Sequence, residues 1–186
     1  DYISSSNLPS IWVQATNLTG EDIKAVESIT DVNKVTINSR LTSKIKNKND
    51  RENYLILDSF NKASNQVANV TSGAGFTAKS SNGIWINKEY ASSNNLSVGD
   101  EIELSILNKQ VKTKILGLVQ SADRIYFTGN LEYLAPNYNN YAYGYISEAT
   151  LKSLFQKQLP SNLLEIHSSN NDFRDKAGGT LGASFF

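Results

Sequence analysis

The chain has 186 residues, 39% of them hydrophobic and 19% charged, which suits one globular unit or two subdomains with a buried core. Its 18 Lys and Arg balance 18 Asp and Glu, which argues against nucleic-acid binding driven by counterion release and gives no reason to propose a polybasic membrane-surface patch. The absence of cysteine excludes a disulfide framework, a thiolate metal site and a cysteine nucleophile. Without a methionine or a signal peptide, residue 1 is expected to be an internal position of a longer protein.

Residues 1–10 read as a polar tether, and 11–16 (IWVQAT) alternate as a strand. Thr19 is placed to cap a helix, with Asp22 completing a capping box and Ile23, Val26 and Ile29 or Thr30 forming a narrow apolar stripe. A strand follows with Val35, Ile37 and Leu41 on one face, so this first unit reads βαβ. Residues 43–53 are polar and read as a loop or hairpin tip, and 54–58 (YLILD) as a short buried strand. A short helix near 61–70 and a linker with Gly73 and Gly75 are expected next.

Residues 83–119 are the most informative stretch. Ile84 and Ile86 alternate with Trp85 and Asn87, as in a half-buried strand. Asn87 is expected to cap a short helix with its side-chain oxygen, and Asn95 to end it in the left-handed conformation. Gly99 in the tripeptide Val98-Gly99-Asp100 permits a turn, and Asp100 braces it. Ile102, Leu104 and Ile106 then oppose Glu101, Glu103 and Ser105, and Val111, Thr113 and Ile115 oppose Lys112 and Lys114. An acidic and a basic outer face suit an antiparallel pair.

Residues 122–128 (ADRIYFT) read as a further strand. Residues 129–145 hold five of the nine tyrosines. Ser147 caps a helix over 148–159 with Leu151, Leu154 and Phe155 on one face, and Pro160 stops it. Leu163 to His167 read as the last strand, followed by a polar, then Gly-rich tail.

The catalytic inventory is thin. His167, the single histidine, has strand parity opposite to Leu164 and Ile166 and so faces solvent. No HExxH, GxSxG or Walker A pattern is present, and Gly73-Ala-Gly75 lacks the third glycine of a dinucleotide loop. Asp58, Asp100, Glu101 and Asp123 are weighed as a carboxylate acid–base pair. The tyrosine segment offers a recognition surface, since tyrosine joins a large rigid contact area to a polar tip. Tyr133, Tyr138 and Tyr141 are its ligand- or partner-binding candidates, and the competing role for Tyr143 and Tyr145 is core packing.

The strand, short helix, VGD turn and hairpin of 83–119 resemble the extracytoplasmic, MacB-like core domain of FtsX-like ABC transporter permeases. The segment LTGEDIKAVESITDVNKVTINSRL is similar to the family's first helix and its V-x-x-V strand. The resemblance spans roughly residues 1–168. It departs at Asn95, where the family usually has glycine, and in the Tyr/Asn insertion at 129–145.

It implies an α+β fold: a βαβ-type subdomain built from both termini, with an inserted β-rich subdomain. The expected division is 1–70 and 129–168 for the first, 71–128 for the insertion, and 169–186 as a flexible tail toward a membrane helix. It further implies a non-catalytic domain without cofactor or metal, at the extracellular face of the cell membrane. Its partners would be a cytoplasmic ATP-binding subunit reached through membrane helices, a second permease half, and an extracellular peptide, lipoprotein or cell-wall protein. The alternative is a free-standing bacterial surface module that binds sugar or peptide through the tyrosine segment.

Overall fold

The computed structural model describes residues 11–46, 52–63, 68–121, 124 and 137–170. Thr19 starts the first helix as its sequence requires: the side chain accepts from Asp22 N at 3.2 Å while Asp22 Oδ2 accepts from Thr19 N at 2.8 Å. That helix, α1 (Gly20–Glu27), joins strand β1 (Ile11–Gln14) to β2 (Val32–Asn38). The last strand, β10 (Leu163–Ser168), lies between β1 and β2 and is antiparallel to both, so β1 and β2 are parallel with a foreign strand between them. Ile11, Val26, Leu164 and Ile166 form the core of this small sheet.

Sequence and sheet divide the chain into two compact units, Asp1–Ser39 with Leu159–Phe186, and Arg40–Gln158. The boundaries therefore fall at 39/40 and 158/159, whereas the expected division began the insertion at residue 71. Ser39 separates β2 from β3 (Arg40–Lys46), so Leu41 does not continue the strand of Val35 and Ile37 but opens the second unit. Residues 43–46 are strand rather than loop because Ser43 and Ile45 point inward while Lys44 and Lys46 point outward, a period of two hidden by the polar composition.

In the second unit, β3 pairs with β4 (Glu52–Phe60), from Arg40↔Asp58 to Lys46↔Glu52. β5 (Ala68–Gly73), β6 (Gly83–Asn87), α2 (Lys88–Ser93), β7 (Glu101–Ile106), β8 (Lys109–Ser121), β9 (Tyr141–Ser147) and α3 (Glu148–Phe155) complete it. The sheet order is β5-β8-β6-β9-β4-β3-β7, and β7 also pairs with β8. Those pairings close six strands, from β8 through β6, β9, β4, β3 and β7, into a ring with β5 as an outrigger. Inward positions carry Leu55, Leu57, Ile84, Ile86, Leu104, Ile115 and Ile146, all nearly inaccessible.

The helix expected near 61–70 is replaced at its end by β5, which forms because the long β8 offers it a partner edge. Gly73 has φ +88°, and a Cβ there would meet the Leu116 carbonyl oxygen at 2.5 Å, so it is a packing glycine and not a linker. β6 is buried on both faces: Ile84 and Ile86 face the ring interior, and Trp85 packs outside against Phe60 and Phe76. The helix after Ser147 ends at Phe155, one turn before Pro160, through a left-handed Gln156.

Candidate functional site

The VGD segment is a structural device. Helix α2 ends with Leu96 N donating to Ala91 O and Asn95 N to Ser92 O, and Asn95 stands at φ +53°. This is the closure that glycine usually supplies, here made by asparagine. Gly99, at φ +92°, donates to Ile115 O, Ile115 N donates to Asp100 O, and Asp100 Oδ2 accepts from Ser97 N at 3.0 Å. The turn thus fastens α2 to β8. Asn87 occupies the N-cap position without capping; its Oδ1 accepts instead from Tyr143 N at 3.0 Å, stitching β6 to β9 where backbone pairing lapses.

Among the described residues, Asp58, Asp100 and Glu101 are held apart in separate roles rather than as an acid–base pair. Asp58 is buried and held by Arg40 through two bonds of 2.7 Å, and by Arg124 at 2.6 Å, with the Arg124 guanidinium 5.1 Å from the centre of the Tyr143 ring. Burial acts to raise the Asp58 pKa, but the charges and hydrogen bonds of Arg124 and Arg40 outweigh it and hold it below the usual carboxylate range. Asp100 braces its turn, Glu101 lies on the exposed face 3.9 Å from Lys112, and Asp123 lies outside the described residues. His167 sits half-buried opposite Lys34, with its pKa lowered by burial and by the lysine charge. Among the described residues no group of three or more His, Cys, Asp or Glu is placed to hold a metal ion.

The tyrosines of β9 share one strand face but differ in burial along it. Tyr143 and Tyr145 are buried; the Tyr143 hydroxyl accepts from Ser121 N and the Tyr145 hydroxyl donates to Ser121 Oγ, both at 3.1 Å. Tyr141 stays partly exposed and stacks on Tyr54, its register partner, at 5.4 Å between centroids and 15° between planes. Tyr138 is half-buried in the turn before β9, its pKa raised by burial and by Glu89. Tyr133 lies outside the described residues.

That turn is built from inside. Asn53 Nδ2 donates to Asn139 O at 3.0 Å and to Tyr90 Oη at 2.9 Å, while Asn94 Nδ2 donates to the carbonyls of Tyr138 and Asn139 at 3.3 Å. Tyr54, which sequence reasoning did not single out, joins Tyr141 as the most exposed aromatic of this wall, at 49% accessible. Its place in the alternating run ENYLILD puts it opposite in parity to the buried Leu55 and Leu57, the signal that could have found it.

The small sheet with its interposed strand and the closed six-stranded ring make up the α+β fold of extracytoplasmic domains of MacB-like ABC transporters. The chain is similar to the extracellular domain of the noncanonic ABC-type transporter YknZ from Gram-positive bacteria, with a TM-score of 0.54 at 12% identity over 94% of both chains. It is similar as well to the periplasmic region of MacB from Actinobacillus actinomycetemcomitans, with a TM-score of 0.51 at 10% identity over 94% of this chain and 84% of that one. No protein-family model and no curated protein matches the sequence.

Proposed function

We propose that the chain is a non-catalytic extracellular domain of an ABC transporter permease, coupling cytoplasmic ATP hydrolysis to export or to control of an extracellular partner. The observation that carries this reading is the path of the chain through the small sheet. Ile11 on β1 is the register partner of Ile166 on β10, so the strand that enters and the strand that leaves run side by side. At the other end of β10, Leu163 pairs with Asn38, and Ser39 Oγ donates to Pro160 O at 2.9 Å. Ile11, where β1 begins, and Ser168, where β10 ends, thus lie toward one end of this sheet, and Asn38 and Leu163, next to the crossings to the inserted unit, at the other. Such a layout suits a domain carried between two membrane helices. The fold it shares with YknZ and MacB domains supports the same reading.

The partners follow from it: an ATP-binding subunit on the cytoplasmic side, a second permease half, and an extracellular peptide, lipoprotein or cell-wall protein. Tyr138 and Tyr141, and Tyr133 in the same segment, are the residues proposed to meet that partner. Sequencing the encoding gene on both sides of this segment tests the reading. Apolar runs of roughly 18 or more residues on each side are expected. A secretory signal with repeats or a wall anchor would instead make the chain a free-standing surface module.

A further inference from the structure

The outer wall of the ring carries one row of side chains that crosses five strands in register: Tyr141, Tyr54, Lys44, Ser105 and Gln110. At the usual strand spacing this row is roughly 19 Å long. Lys44, Ser105 and Gln110 also line an open cleft of ≈ 380 Å³ together with Lys46, Glu52 and Glu103. Stacking on Tyr141 occupies one face of Tyr54. On its other side Tyr54 has Lys44 as its register partner, whose pKa is raised first by the bonded Glu52 and, more weakly, by Tyr54.

We propose that this row and the cleft along it bind a neutral, hydroxyl-rich glycan strand, with Tyr54, the register neighbour of Lys44 beside the cleft, as the aromatic platform and Lys44, Ser105 and Gln110 as hydrogen-bonding groups. The charges of the cleft compensate one another. Lys44 pairs with Glu52 at 3.0 Å, and Lys46 stands in register with both Glu52 and Glu103. Two cations against two anions leave no field to select an ionic ligand, yet they supply many donors and acceptors for hydroxyl groups. A tyrosine beside such a floor receives the C–H face of a sugar ring.

A peptide is disfavoured on the same ground. β3, β4, β7 and β9 are each paired on both sides within the closed ring, so no strand edge is open here for β-augmentation, and the cleft has no apolar anchor pocket. The inference concerns the ring wall and stands apart from the transporter reading, so either can fail alone.

The test is titration of this chain with chitohexaose, a neutral hexasaccharide, followed by amide NMR. Shifts confined to the neighbourhood of Tyr54, Ser105 and Gln110 are expected, with affinity about tenfold weaker in Tyr54→Ala and reduced in Gln110→Ala. Both positions lie on the solvent face, so folding is checked by the unchanged remainder of the spectrum. No binding up to about 5 mM overturns the proposal. So does binding that both variants retain at full strength, or shifts that map to another surface.

Discussion

Ile11 and Ile166 are register partners on adjacent antiparallel strands, although they stand near opposite ends of the chain. Their side chains sit in one core with Leu164 and Val26, so the pairing is fixed by apolar burial as well as by the backbone ladder. A single-residue slip of β10 would turn Leu164 and Ile166 outward and bring Glu165 and His167 into the core. This relation ties the small unit together across the whole insertion.

Asp58 anchors the second unit electrostatically. Replacing it by asparagine leaves the guanidinium groups of Arg40 and Arg124 without their carboxylate in a buried site. We expect Asp58→Asn to lose about 3–5 kcal/mol of stability at neutral pH. The folded-state pKa of Asp58 is depressed, so its contribution is fully present above the unfolded carboxylate range, near pH 4, and is lost as pH falls through the folded value. Urea unfolding at several pH values should therefore show the gap between wild type and variant narrowing in acid. A constant gap would contradict this.

The two-residue turn between β7 and β8 is made by Leu107 and Asn108, at φ +48° and +63°. Both angles positive is the turn that suits a right-twisted hairpin, and asparagine or glycine tolerates it far better than leucine. Leu107 is 56% exposed and contributes little packing. Leu107→Asn should raise stability by about 0.5–1 kcal/mol, read as a higher denaturation midpoint at unchanged slope.

Gly144 lies inside the ring, opposite Ile86. A Cβ built there meets the Trp85 carbonyl oxygen at 2.5 Å, and main chain cannot swing away as a side chain would. Gly144→Ala should destabilise by about 1–3 kcal/mol in chemical denaturation. Wild-type stability would show that β6 and β9 are free to separate.

Ser147 links three elements. Its Oγ accepts from Thr150 N at 3.1 Å to cap α3 and donates to the Lys79 carbonyl at 2.9 Å. Ser147→Ala removes the cap and leaves buried groups unmatched, for an expected loss of about 1–2 kcal/mol. Amide exchange should quicken in the first turn of α3 before it does elsewhere.

Local patterns were legible in the sequence where a residue's role is settled by its neighbours. The capping box of Thr19 and Asp22, the left-handed exit at Asn95, the Asp100 brace and the faces of β7 and β8 all belong to that class. Misread elements depend on distant partners. β5 has little strand character of its own and exists because β8 accepts it, and Asn87 bonds to Tyr143 rather than to its own helix. Lys44 and Lys46 looked like loop because the apolar half of their pattern was a serine and a single isoleucine. Of the candidate site, Tyr141 was visible, but its stacking partner Tyr54 was not, since the parallel pairing of β4 with β9 cannot be read from either strand.

We propose that this domain stands outside the cell as part of a membrane-embedded permease. The most direct measurement is labelling of intact cells that express the full-length parent protein, with any cysteines outside this segment replaced and Leu107→Cys introduced, using a membrane-impermeant maleimide. The segment has no cysteine of its own, so the label reports this one exposed hairpin tip. Labelling in intact cells as complete as in lysed cells is the result the account predicts. Labelling that appears only after lysis would place the domain in the cytoplasm and contradict it.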